Sequence, residues 1–435
     1  MRQNRRYIIY ALMFLLLAIN YMDRSVLSVA AKPISADFHL SVSSLGIVFS
    51  VFSWTYIVCL LPAGFLADRV GPKKTAAFAI VLWSLATLLT GLAGSVGILI
   101  VIRLVMGAGE AGAYPSLGRV SLDWIAERER GRVTAIYNSG SYAGPALGSL
   151  ISVALIANYS WHAAFYVMGA VGFVWLALWL WLYARPERAR WLAPEERDHI
   201  LAGRRATAST VKLPPPSGAD LLRLLAHNRT MWVLVLTQGC AVYTQYLFLT
   251  FLPSYLESSH HLSVFTGGIE SAVPYFVAVA GGIGLGIFSD RLLRGRDVST
   301  GRRRYMVAAS LLISAIVLVT PFVNSVVVVL ILVSISLTFV ATSITLTIAL
   351  GVDLLHDHRL TGQVQALIPI GGNAFGLLAP IVTGFVVQHS GSYDTAFVVA
   401  GILLIAGSIL AVAGARTPIG EVPAAAGRQE MTWSA

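Results

Sequence analysis

Cysteine is almost missing from this chain: Cys59 and Cys240 are the only two in 435 residues. Both sit in apolar stretches, which excludes a disulfide framework or a cysteine-based metal site. Charge is scarce as well. Asp, Glu, Lys and Arg make up 12% of the residues, against roughly 25% in a soluble globular protein. Nor does the sequence hold a nucleotide-binding glycine loop, a histidine pair at ligand spacing on a helix, or a nucleophile with a base in reach. An enzyme is therefore not expected, and neither is a metal or cofactor.

What the chain has instead is apolar length. Hydrophobic residues reach 56% and mean hydropathy is +0.74, and runs of about 20 residues, enough to cross a bilayer, recur from end to end. The pattern predicts twelve spans, at 7–31, 42–66, 75–95, 96–119, 133–157, 162–184, 230–257, 263–289, 305–323, 325–352, 361–388 and 393–415. The fold class is thus an all-α membrane protein. Its longest polar interruption carries the "PPP" of Pro214 to Pro216 and divides the spans six and six. The expected units are an N-terminal bundle at 1–184, a linker at 185–229, a C-terminal bundle at 230–415 and a structureless tail at 416–435.

The net charge of +10 could point to nucleic acid, but its distribution reads differently. Of 31 Lys and Arg, Arg24 and Arg103 lie inside spans and Lys32 lies beyond the first. All the others fall at the N-terminus, in alternate loops or in the tail. That asymmetry is the positive-inside pattern, and it places both termini in the cytoplasm of a cell whose inner membrane holds the protein. The partners this leaves are the bilayer and a solute, with no nucleic acid, and the chain is expected to act as a monomer.

The halves repeat. "GFLADRVGPKK" from Gly64 to Lys74 closes the second span, and "GIFSDRLLRGR" from Gly286 to Arg296 closes the eighth. Each has Gly, three residues, Asp-Arg (Asp68-Arg69 and Asp290-Arg291), then a basic cluster. "GSYAGPALG" in span five and "GNAFGLLAP" in span eleven share small residues or proline at intervals of four, an arrangement that brings helices close. The alignment sets Ser141 opposite Asn373.

A charge at mid-bilayer costs at least about 2.5 kcal/mol, so the few inside spans are informative. They are Asp23, Arg24, Arg103 and Glu110, with Glu270 near the outer end of span eight. At a rise of about 1.5 Å per residue, Asp23 and Arg103 reach similar heights, with Glu110 deeper. Asp23 is expected to pair with Arg103 in a charge network. Arg24 points about 100° away from Asp23 and is expected to meet either Glu110 or a substrate carboxylate, which its planar fork would grip in two places. Burial and a neighbouring cation act oppositely on the proton affinity of a carboxyl such as Glu110. Moving that cation could therefore couple a proton to an anion.

Repeated six-span halves around a central site describe one transporter architecture. On "GFLADRVGPKK" the chain resembles the major facilitator superfamily. On "NYMDRSVLSVA", "RLVMGAGEAGAYPS" and "YNSGSYAGPALG" it resembles that superfamily's anion:cation symporter family of sugar-acid and organic-acid carriers. The resemblance implies two six-helix bundles related by a pseudo-twofold axis along the membrane normal. It also implies proton-coupling roles for Asp23 and Glu110, and substrate contacts from Arg24, Tyr21, Tyr56 and Asn373. Tyr243, Gln245 and Tyr246 in the "VYTQY" of span seven, the tyrosines equally suited to packing, and Ser141 complete the expected pocket. Gly64, Asp68, Arg69, Asp290 and Arg291 would form the gating motif. Two departures stand out: Leu60 and Ser141 occupy positions where sugar-acid members carry Gln. An aromatic or shorter carboxylate is thus as plausible as a sugar acid. The expected function is proton-coupled import of a small organic anion, the alternative a proton-independent exchanger of anions or sugar phosphates.

Overall fold

The computed structural model describes residues 4–125, 129–198, 200–201, 228–293, 302–355 and 361–419. Twelve of its helices are long and apolar enough to cross a membrane: α1 (Tyr7–Val29), α2 (Val42–Val70), α3 (Pro72–Thr90), α4 (Val96–Trp124), α5 (Arg132–Asn158), α6 (Trp161–Leu182), α7 (Arg229–Ser259), α8 (Val264–Gly286), α9 (Arg303–Phe322), α10 (Val326–Asp353), α11 (Leu367–Ser390) and α12 (Asp394–Gly414). Each overlaps one of the twelve spans expected from hydropathy. Most of the expected linker, 202–227, lies outside the described residues, as do 420–435 of the tail.

Local sequence sets the helix starts. Ser41, Ser95, Ser160 and Asn228 cap α2, α4, α6 and α7, each side chain accepting the N–H three residues on. Such a cap satisfies one of the amides that a helix start leaves without a carbonyl. Pro72 opens α3, where its missing N–H costs nothing. Gly71 supplies the turn between α2 and α3 with φ of 89°, a conformation that disfavours any side chain.

The internal repeat has a structural counterpart. α5 lies on α1 so closely that a Cβ on Gly144 would fall 2.3 Å from the Ala18 carbonyl and 3.0 Å from Tyr21 Cβ. In the second half α11 lies on α7, where a Cβ on Gly376 would fall 3.0 Å from the Tyr246 ring. The two small-residue motifs thus bring helices together in both bundles and hold a tyrosine at each contact.

The halves meet on the face away from the termini. There α2 packs on α11, where a Cβ on Gly46 would sit 2.5 Å from the Pro380 carbonyl, and the Ser43 amide donates to Gln388 Oε1 at 3.0 Å. α5 packs on α8, with Val153 filling the space beside Gly268. Buried Glu257 of α7 is opposed there by Lys32 of the first half. On the termini face the picture reverses, since nothing lies within 4 Å of a Cβ built on Gly64 or Gly286. Among the described residues, the hydrogen bonds linking the halves run from mid-height to the far face and are Arg24 to Tyr246, Ser28 to Thr250 and Ser43 to Gln388. The fold is therefore closed on the far side and parted on the side of the termini.

Beyond the spans, the start of the linker folds back on the first bundle. Trp191 stacks on Trp124 with centroids 5.4 Å apart, and Arg5 Nη1 donates to the Trp191 carbonyl. The first tail residues also dock: Thr417 meets Thr230 and the Ile419 amide donates to Leu354.

Candidate substrate site

Arg24 stands at the centre of the contacts between the bundles. Its Nε donates to Glu110 Oε2 of α4 at 2.7 Å, Nη1 to the Tyr246 hydroxyl of α7 at 3.0 Å, and Nη2 to Asn20 Oδ1 one turn below at 3.2 Å. The Tyr246 hydroxyl in turn donates to Asn373 Oδ1 of α11 at 3.2 Å, and Asn373 Nδ2 is anchored on the Pro369 carbonyl. A continuous polar chain from Glu110 to Asn373 thus crosses from one half to the other.

Three aromatic faces enclose the guanidinium, with Tyr21, Phe52 and Tyr56 centroids at 4.6, 4.7 and 5.0 Å. Each such contact contributes about 0.5–2 kcal/mol when desolvated. They hold the planar group in one orientation. Phe52 is fixed by the approach of α2 to α4, where a Cβ on Gly107 would strike the Phe52 carbonyl, and the Thr55 hydroxyl bonds Leu104 O at 2.7 Å. Three of the five guanidinium N–H groups are engaged in these bonds. One N–H on each Nη is left for a ligand. Arg24 and Glu110 are both almost wholly buried, so either becomes costly if the other is withdrawn without replacement.

The expected pair of Asp23 and Arg103 is not made. Asp23 is fully buried, with Trp83 and Thr87 of α3 as its hydrogen-bonding neighbours, and Arg103 acts on it only as a charge, outside ion-pair distance. Arg103 instead donates Nη1 to Met106 Sδ at 3.0 Å and lies 5.0 Å from the Phe52 centroid. Helix extent explains the correction. α4 runs on to Trp124, and the chain beyond α1 continues as a helix over Ala31–Phe38. Glu110, two turns beyond Arg103 on α4, is the carboxylate that meets α1, and it meets Arg24.

Tyr21, Tyr56, Arg24, Glu110 and Asn373 come together as the sequence suggested. Ser141 is buried, but its hydroxyl turns back to the Asn138 carbonyl of its own helix. Gln245 is buried without making any of these bonds; its neighbour Tyr246 makes the bridge, since adjacent helix positions point about 100° apart. Asn20 and Phe52 were missed. Asn20 was legible as the residue four before Arg24, whereas nothing in the sequence marks Phe52.

In the first motif loop, Asp68 pairs with Arg119 of α4 at 3.4 Å on the surface. Lys73 caps the end of α6, donating to the Leu180 and Tyr183 carbonyls. Arg69 and Arg291 are exposed, and the Asp290 side chain lies outside the described residues. Glu270 is half-buried, and its Oε2 has no partner.

The profile of the Major Facilitator Superfamily matches residues 13–358. The chain belongs to that superfamily. Among curated proteins it is 30% identical over 413 residues to the "Probable galactarate/D-glucarate transporter GarP" of Escherichia coli K12, covering 92% of each chain. It is 30% identical to the "Probable sulfoacetate transporter SauU" of Cupriavidus necator, covering 94% of this chain and 93% of that one. With the "D-galactonate transporter" of Escherichia coli O6:H1 it shares 29% over 92% of this chain and 94% of the other. A solved bacterial homologue of the human lysosomal transporter Spinster superposes with a TM-score of 0.68 at 18% identity, covering 96% of this chain and 98% of its own, and it shares the fold. This superfamily member is a multi-pass membrane transporter, not an enzyme, and its sugar-acid relatives agree with the anion:cation symporter resemblance.

Proposed function

We propose that the protein imports a small organic anion, such as a sugar acid, hydroxy acid or aromatic carboxylate, together with a proton. It would do so as a monomer in the inner membrane with both termini in the cytoplasm. The observation that carries this reading is the Arg24–Glu110 bond, with two guanidinium N–H groups to spare. Relatives named for galactarate, glucarate, galactonate and sulfoacetate support an anionic substrate.

In this reading a substrate carboxylate takes Glu110's place on Arg24 while Tyr21, Tyr56 and Asn373 line the site. Glu110 is then a buried carboxyl without its cation, and a proton replaces the cation. Asp23, buried and in no ion pair, is the second proton carrier. The bundles at 1–184 and 230–415 rock about the site, joined by the linker at 185–229. The motif loops at Gly64, Asp68 and Arg69 and at Asp290 and Arg291 meet only when the termini side closes. In that orientation the structure described above is inward-facing.

Purified protein in liposomes loaded with a pH-sensitive dye tests this directly. Galactarate, galactonate, short hydroxy acids and aromatic carboxylates would be added outside, for wild type and for Glu110→Gln. The expected result is internal acidification with one anion class that disappears in the variant. Labelled anion uptake without acidification in wild type would remove the proton from the proposal.

That second outcome favours the exchanger reading, for which one feature speaks. Among the described residues Arg103 forms no ion pair, and it shares Phe52 with Arg24. Two buried guanidiniums around one ring suit a substrate with two negative charges, a dicarboxylate or a sugar phosphate.

A further inference from the structure

On the face away from the termini, apart from the Arg24 site, a cavity of about 730 Å³ lies between the ends of α7, α9 and α11 and the starts of α2 and α12. Four of these helices belong to the second bundle, and Ser41 and Val42 at the start of α2 close the cavity from the first. Volumes of this order hold small-molecule ligands.

The polar groups around it are mainly acceptors. Three helices end here, and the last carbonyls of a helix lack intrahelical partners and carry partial negative charge. Two helices start here, but their amides are already taken. The Ser43 amide donates to Gln388 Oε1 at 3.0 Å, the Ser44 amide to Ser41 Oγ at 3.2 Å and the Asp394 amide to Ser392 Oγ at 3.1 Å. Among the described residues no Lys or Arg lines the cavity, and the carboxylate that does, Asp394, forms no ion pair. Tyr255 and Tyr393 add aromatic rings to the wall, with centroids 6.0 Å apart.

An acid in the first turn of α12 complements that helix's dipole, which accounts for Asp394 as a structural residue. It does not account for Thr320. Thr320 is wholly buried, lines the cavity, and its Oγ1 has no hydrogen-bond partner. Ser314, earlier on the same helix, bonds the carbonyl four residues back at 2.8 Å. A buried hydroxyl left unsatisfied is costly and calls for an explanation.

We propose that this cavity binds a small organic amine and that the bound amine holds the far side of the transporter closed. The ammonium group lies against Asp394 and the helix-end carbonyls, with Thr320 as a further acceptor and the tyrosine rings beside its carbons, surroundings that favour a cation. The described residues hold no group of three His, Cys, Asp or Glu for a metal ion, so the cation that fits is organic. A carboxylate finds acceptors here and no cation. The site is therefore opposite in preference to Arg24, and amine binding stands or falls independently of anion transport. Ser41 and Val42 complete the wall only while α2 lies on α11, with the Ser43–Gln388 bond at its edge. Rocking the far side open removes that wall, so the amine binds the closed form more tightly and shifts the equilibrium toward it.

Full-length protein in a neutral detergent would be titrated with spermidine by calorimetry, beside Asp394→Asn and Thr320→Val. The first variant removes the charge and keeps the side chain's shape; the second replaces only a hydroxyl by a methyl. The expected result is saturable binding, with Kd raised at least about tenfold by Asp394→Asn and roughly three- to tenfold by Thr320→Val. Melting curves without amine show whether each variant is folded, and Thr320→Val decides alone if Asp394→Asn is not. The second part is read with Ser28→Cys in a chain lacking Cys59 and Cys240. Ser28 is buried against Thr250 while the far side is closed, so spermidine should slow its alkylation, and should not when Asp394→Asn is added. Absence of saturable binding, equal Kd in wild type and the folded variants, or tighter binding of tricarballylate than of spermidine overturns the site. Binding without any change in alkylation overturns the closing role.

Discussion

The Tyr246 hydroxyl accepts from Arg24 Nη1 at 3.0 Å and donates to Asn373 at 3.2 Å, so one phenol joins the first bundle to two helices of the second. The halves can rock only if that bond breaks or is exchanged for one to substrate. Its position, beside the two unused guanidinium N–H groups, makes it the group most exposed to the arrival of an anion.

Tyr246→Phe keeps the ring against Gly376 and removes the hydroxyl. A hydrogen bond to a charged group contributes about 1.5–3 kcal/mol, so the anion KM should rise roughly ten- to a hundredfold if substrate takes over this bond. Thermal stability of the detergent-solubilised protein should fall by only a few degrees. Initial-rate uptake and a melting curve check the two parts separately.

Arg24→Lys preserves the charge but not the fork. A lysine ammonium cannot reach Glu110, Tyr246 and Asn20 together, and it loses the stacking available to a planar guanidinium between Tyr21, Phe52 and Tyr56. Anion binding measured by calorimetry should weaken at least about tenfold. Binding at wild-type strength would remove Arg24 from the anion site.

Asp23 and Arg103 make no ion pair, but each acts on the other's charge and on that of Glu110. A double-mutant cycle with Asp23→Ala and Arg103→Ala should give a favourable coupling of about 1 kcal/mol. A coupling of about 3 kcal/mol, typical of breaking a buried pair, would show that the expected pair forms in the conformation measured.

Gly64 and Gly286 face open space in this conformation. Gly64→Val and Gly286→Val should therefore leave folding and anion binding from the termini side intact. If the motif loops pack together when that side closes, the added side chains block the closure, and transport should drop at least tenfold at unchanged Kd. Normal turnover in both variants would count against these loops as the closing contact.

Much of this was written in the chain. Twelve apolar runs and their serine or asparagine caps specify where helices start, because hydrocarbon admits backbone only as hydrogen-bonded helix. The repeat of Gly144 and Gly376 announced the two matching helix contacts, and the rarity of charge inside spans singled out Asp23, Arg24, Arg103 and Glu110. Sequence spacing also gives angle around a helix, which is why Asp23 and Arg24 could be assigned different partners from sequence.

Tertiary structure alone decided which partners those were. Height along a helix does not say where the helix sits relative to its neighbour, and α1 met α4 at Glu110, two turns beyond Arg103, so that Arg24 and not Asp23 found its partner there. The same holds for Tyr246 over Gln245 and for Phe52 between two guanidiniums. Each depends on the tilt and approach of helices from different parts of the sequence. Those are set by side-chain packing across the contacts, which no single segment encodes by itself.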